Sequence, residues 1–384
     1  LGLPHNMGSS VAYPVEKLRD PEFTKEFGTA PSIMDYARFN YIAQPEDGDV
    51  ALMPEIGPYD KYAIEWGYRP IPEKEGMEEK EILDQWILEH AGDPKYRFGS
   101  QQSGGVIDPS SQTEDLGDDA MLVSEYGIKN LKRIVPKLIE CTAEDGKDYD
   151  DLDDLYGQIL SQYNRYMGHV TANLGGVYEY SKTYDQEGAV YTHVDKETQE
   201  RAMDFLQKQL FETPEWMINQ EIFNKIEFDG NIERIRGMQQ RTLNNILDFG
   251  RMARLMENEE INGNEAYSLL DMMTELRKGI WSEVYSGKKI DRYRRNLQRA
   301  YIERMEYLMN EEQDEIPARW RQWISRSNVN VSQSDIRPVV RGELKTLERQ
   351  VKNAVYSSGD TLTKYHLQDV LKRIDLILNP IASN

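Results

Sequence analysis

Cysteine is almost missing from these 384 residues, for Cys141 stands alone. That excludes an internal disulfide and a thiolate metal cluster, and it leaves the redox compartment open. Long apolar runs are missing too. No stretch approaches the roughly 20 apolar residues that span a bilayer, and the mean hydropathy of -0.71 agrees. Basic charge is in deficit, with 46 Lys and Arg against 67 Asp and Glu, a net charge of -21 that repels nucleic-acid phosphates. Nucleic acid is therefore not an expected partner. No fixed-period repeat or low-complexity tract is found, which argues against a solenoid. The opening residues, Leu1-Gly2-Leu3-Pro4-His5, carry neither an initiator Met nor the charged-then-apolar pattern of a signal peptide, as expected of a piece from inside a longer protein.

What is present is enough chain for two or more cores, with 23 Tyr, 9 Phe and 6 Trp to fill them. The first seventy residues are rich in Gly and Pro, broken by short periodic segments at Met34 to Ala43 and Tyr59 to Trp66. Gly67 is a plausible helix C-cap, and the run Pro70 to Gly76 breaks regular structure, so a domain boundary is placed there, with residues 1–70 on one side and 71–384 on the other. From Glu78 the spacing of Ile82, Trp86 and Ile87 predicts a helix that Gly92-Asp93-Pro94 stops, and residues 95–112 read as a long loop. Thr113-Glu114-Asp115 is expected to begin a helix running toward Cys141, and the acidic run Asp148 to Asp154 another that reaches Asn173. Val177 to Tyr180 and Ala189 to Val194 form a hairpin candidate, after which Asp195 caps a helix over 196–211. Further helical stretches are predicted at 239–257, 264–282, 290–310, 333–356 and 362–378. The fold class is mainly α with a small β-hairpin.

The chemistry gathers in the first forty residues. Leu1-Gly2-Leu3-Pro4-His5-Asn6 fits the tail of the pattern H-E-x-x-H-x-x-G-x-x-H, with Gly2 and His5 at its last two fixed positions, and Ser32-Ile33-Met34-Asp35-Tyr36 follows downstream. Together they resemble the metzincin zinc metallopeptidases, whose third zinc-binding histidine and methionine turn these segments match. Gly57-Pro58-Tyr59-Asp60-Lys61-Tyr62 onward is similar to the helix that closes the catalytic domain in several metzincins. With Gln112-Thr113-Glu114-Asp115-Leu116-Gly117-Asp118-Asp119, the chain resembles the large bacterial metzincin-like proteases, common in Bacteroidetes, that carry a long helical C-terminal region. The resemblance implies residues 1–70 as the C-terminal subdomain of a metzincin catalytic domain and 71–384 as that helical region.

The physical reason for the pattern is that two histidines four apart lie on one helix face, and a glycine lets the chain turn so that a third imidazole reaches the same ion. Three protein ligands leave a position for a water that zinc acidifies toward a pKa of about 7, and the motif glutamate takes its proton as general base. The resemblance thus implies zinc as cofactor, His5 as a ligand, Gly2 and Met34 as structural at the site, and Tyr36 as the donor to the oxyanion in the manner of the astacin form. It also implies that the first two histidines and the glutamate lie in an upstream part of the same protein, and that the protein is exported, to the periplasm or cell surface.

Plainer readings stand beside these. Met34 is a buried core methionine on either account, and Cys141 a packed helix residue. His90, His169, His193 and His366 lie in separate segments without ligand spacing and read as structural. Asp108, Glu114, Asp115, Asp118 and Asp119 have oxygens enough for calcium, yet lack an EF-hand's spacing and central glycine, so solvated acids at a helix N-terminus are the favoured reading. The basic stretch Lys288 to Arg295 is read as pairing with acidic helices. The function expected is the C-terminal fragment of a zinc-dependent endopeptidase acting on a peptide or protein substrate, inactive by itself; the alternative is a non-enzymatic helical binding or scaffolding module with a degenerate metzincin remnant.

Overall fold

The computed structural model describes residues 2–72, 76–102, 105–228, 231–314 and 328–380. Among them the structure is mainly α-helical with one small antiparallel hairpin. One compact unit takes the chain up to Arg133 together with Gly176–His193, and a second takes Ile134–Gly175 and the described chain from Val194 onward.

The first unit is loop-rich and its helices are set by local capping. Helix α1 (Pro21–Phe27) starts at Asp20, whose carboxylate accepts from the Glu22 and Phe23 amides, with proline in its first turn where no donor is lost. Helix α2 (Pro58–Tyr68) again opens on proline, α3 (Met77–Glu89) follows, and α4 (Ala120–Ile134) is capped by Asp119, which accepts from the Met121 and Leu122 amides at 3.0 and 3.1 Å. The hairpin pairs β1 (Val177–Glu179) with β2 (Tyr191–His193), Val177 opposite His193.

The second unit is built on long amphipathic helices. After α5 (Leu138–Thr142), α6 (Asp150–Thr171) buries Leu152, Tyr156, Ile159, Tyr163 and Tyr166 along one face, the stripe that spacings of three and four produce. Then come α7 (Lys196–Leu206), α8 (Gln220–Ile226), α9 (Ile232–Ile246), α10 (Phe249–Asn262), α11 (Leu269–Ile280), α12 (Ser282–Ser286), α13 (Arg292–Asn310), α14 (Ile336–Ser357) and α15 (Thr361–Leu378). Helix α13 packs on α9, and α14 on α13 and α15. Buried arginines tie helix ends together: Arg251 donates to the carbonyls of Thr171 and Leu174 where α6 finishes, and Arg294 to Ile280 O at 2.7 Å and to the Glu283 carboxylate. Arg294, on the basic stretch, thus pairs with an acid as the sequence suggests.

Several expectations fail. Met34 to Ala43 is loop and turn rather than a periodic element. No helix starts at Thr113. Glu114 has φ +66°, a conformation no helix continues through, and α4 begins at Ala120. Asp108, Glu114 and Asp115 are buried, so the solvated-acid reading is wrong for them; Asp118 alone of the five is exposed. The stretch 239–257 is two helices, because the Asp248 side chain accepts from the Arg251 amide at 3.1 Å and starts α10 afresh. Cys141 lies on α5 but is exposed, and Met34 is half-buried rather than buried.

Candidate functional site

The turn at Met34 is built from polar pieces. The Ser32 hydroxyl accepts from the Met34 amide at 3.0 Å and donates to Asp60 Oδ1 at 2.6 Å. Asp60, in the first turn of α2, also accepts from the amides of Ile33 at 3.0 Å and Gly57 at 2.9 Å. An acid at this position satisfies donors that a helix start leaves unpaired and complements its dipole; here it fastens the turn as well. The Tyr59 amide reaches Pro31 O at 3.2 Å, and a Cβ on Gly57 would stand 1.9 Å from that oxygen, so only glycine permits the approach.

The His5 segment lies against this turn. The Asn6 amide donates to Met34 O at 3.0 Å, and the His5 and Tyr36 rings sit 4.5 Å apart at 52°. Both rings are exposed. Gly2, with φ +74°, takes the left-handed conformation that glycine adopts without strain. Behind His5 the segment is fixed from the far side: Asn6 is wholly buried, its Nδ2 donates to Arg97 O at 2.9 Å, its Oδ1 accepts from the Gly99 amide at 2.8 Å, and Met7 N donates to Gly99 O at 2.8 Å. Arg97 in turn meets Asp108 Oδ2 at 2.8 Å, and the same oxygen accepts from the Glu179 amide, which attaches the hairpin.

Beneath the turn lie two further carboxyls. Asp35 Oδ2 accepts from Ser9 and Ser10, and Ser10 Oγ donates to Asp115 Oδ1 at 3.0 Å. Burial pushes Asp35 up to about 6 against the opposing pull of those serine hydrogen bonds, and burial, with the charge of Asp35, holds Asp115 well above the carboxylate range. Asn6, Asp35, Asp60 and Asp115 were not singled out from the sequence for these roles.

The structure therefore brings His5, Met34 and Tyr36 together, and each of the other histidines has its own local setting. His90 stacks on Tyr96 at 4.0 Å, His169 is buried on α6, His193 ends β2, and His366 in the α15 core meets Gln298 Oε1 at 2.8 Å with its pKa lowered to about 3 by burial. Among the described residues no group of three or more His, Cys, Asp or Glu is placed to hold a metal ion, so the donors in hand do not make a zinc centre by themselves. The acidic loop 108–119 is spent on structure: Asp108 pairs with Arg97, and Glu114 with Arg38 at 2.6 Å.

A family model described as Met-zincin matches residues 1–288. The chain belongs to the Met-zincin family. No curated protein and no solved structure matches it. The Met-zincin match begins at the His5 segment, takes in the Met34 turn, the acidic loop and the hairpin, and stops short of α13, so it covers all the contacts that build this site. Family membership makes this a zinc metallopeptidase-like chain. No described helix is long and apolar enough to cross a membrane.

Proposed function

We propose that this chain supplies part of the active site of a zinc-dependent endopeptidase: His5 as one zinc ligand, Tyr36 as a hydrogen-bond donor to the oxyanion, and Met34 with Gly2 as supports. The observation that carries the reading is the contact between the His5 and Tyr36 rings, with the Asn6 amide bonded to Met34 O, inside a Met-zincin match. An exposed imidazole beside an exposed phenol, both held by a polar frame behind them, presents two chemical groups to one volume of solvent. The remaining ligands and the general base come, in this proposal, from an upstream part of the same protein that completes the site, and the substrate is a peptide or protein. The resemblance to large bacterial proteases supports export to the periplasm or cell surface.

Zinc in such a site supplies an acidified water for peptide hydrolysis; the residues of this chain hold and orient. The decisive experiment reads the coding sequence immediately upstream and measures bound metal in the intact protein. An upstream H-E-x-x-H-x and stoichiometric zinc that His5→Ala abolishes together with activity is the expected result. Normal zinc and activity in His5→Ala would sink the assignment, and loss of the upstream glutamate or either histidine would favour a non-enzymatic helical module. The 384-residue chain alone is expected to bind zinc weakly and to cleave nothing; chelator-sensitive cleavage of casein by it would overturn that expectation.

A further inference from the structure

The Met34 turn and the segment after His5 are joined by carboxyls rather than by apolar packing. Asp35, 5% exposed, accepts through Oδ2 from Ser9 N at 3.1 Å, Ser9 Oγ at 3.3 Å and Ser10 N at 2.7 Å. Its other oxygen, Oδ1, is buried and accepts no hydrogen bond from any described residue. Ser10 faces two ways, for its hydroxyl donates to Oδ1 of Asp115, itself 6% exposed. One buried serine thus bridges two buried acids from distant parts of the chain. The basic groups nearby are engaged elsewhere: Arg97 holds Asp108, and Arg38 holds Glu114. The charges acting on Asp115 are those of other acids, Asp35 and Asp108. Two full negative charges so close in a desolvated place repel each other and lack the hydration that would offset it, so one proton is retained by the pair.

We propose that Asp35 and Asp115 share a single proton across the Ser10 bridge, and that this singly charged pair clamps the His5 segment to the Met34 turn. The buried Oδ1 of Asp35 accepts no hydrogen bond from a described residue, so nothing at that oxygen offsets a full charge while Asp115 is charged as well. The clamp stands on these contacts alone and does not depend on the zinc-peptidase reading. Its consequence is a pH response of definite sign. Burial raises both acids above the ordinary aspartate pKa of about 4. The folded state then holds protons that the unfolded chain has released, so stability is full below the unfolded pKa and is lost as pH rises through the folded values. For Asp35 that loss runs from the ordinary aspartate value of about 4 up to about 6 and is complete above it.

The test follows the thermal midpoint of the whole chain from mildly acid to mildly alkaline pH beside Asp115→Asn, whose amide oxygen can still accept from Ser10 while carrying no charge. Groups elsewhere contribute equally to both proteins and cancel in the difference. The parent midpoint is expected to fall with rising pH and the variant's to fall less, so that the variant is the more stable at alkaline pH. In parallel, carboxyl carbon NMR of the unsubstituted chain follows the two side chains directly, which keeps the inference testable if the variant does not fold. At least one aspartate should titrate well above the ordinary aspartate value. Parallel midpoint curves in parent and variant, or both carboxyls titrating at about 4, would overturn the clamp.

Discussion

Asp60 shows how much one side chain carries in this region. Its carboxylate accepts from Ser32 Oγ and from two backbone amides while only 5% exposed. Removing it leaves buried donors unpaired, a loss of about 1–3 kcal/mol for each group left without a partner. Asp60→Ala is therefore expected to lower stability by about 3 kcal/mol or more, read as a fall in the denaturation midpoint at unchanged m-value; a midpoint within error of the parent would show that the turn does not depend on it. Tyr36 behaves oppositely. It is 46% exposed, so Tyr36→Phe keeps the ring against His5 and should change stability by no more than about 0.5 kcal/mol. On the proposed role as donor to the oxyanion in the intact protein, kcat and kcat/KM should fall together by about 10- to 1000-fold with zinc content unchanged. Full turnover in that variant would return Tyr36 to the ordinary exposed aromatics.

At the scale of elements, helix α2 reaches the turn only because Gly57 carries no side chain. A methyl group there would stand 1.9 Å from Pro31 O, and the backbone oxygen cannot rotate away as a flexible side chain could. Gly57→Ala should cost about 3 kcal/mol through displacement of the turn, seen as a lower thermal midpoint and faster amide exchange at Ile33 and Met34; exchange unchanged at those amides would refute the seating argument. The example marks what a sequence discloses. Asp195 before α7 and Asp150 in the first turn of α6 announce their helices, since caps and dipole complements act within a few residues, and α6 repeats its apolar stripe for six turns. The paired motifs at His5 and Met34 were legible because each is a local pattern. The frame behind them was not. Ser10 and Asp115 are 105 positions apart, and Asn6 and Arg97 are 91 apart; such contacts leave no periodicity to read. Thr113-Glu114-Asp115 misled because acids after a threonine imitate a capped first turn, whereas the positive φ of Glu114 turns the chain inward and spends both acids on burial.

Over the whole molecule, charge is the property that composition states most directly, and it yields a prediction about salt. The chain carries 21 more acidic than basic groups, a surplus that repels itself in the compact state. Exposed helix pairs oppose the effect locally: Lys80 with Asp84, Lys352 with Glu348 and Arg373 with Asp369, each one turn apart. Such pairs contribute about 0.3–0.5 kcal/mol each, and salt weakens them. The two influences differ in range. A pair in contact is shorter than the screening length at any ordinary ionic strength, whereas repulsion among acids spread over the surface acts across tens of ångströms. Raising sodium chloride from about 10 to 100 mM shortens the Debye length from about 30 to 10 Å, which removes most of the long-range term and little of the contact term. The thermal midpoint should therefore rise over that interval and level off above it. Chloride is the right anion for the measurement, because sulfate or phosphate would add a stabilisation of their own by exclusion from the surface. A midpoint that fell with chloride would mean that the ion pairs outweigh the surplus.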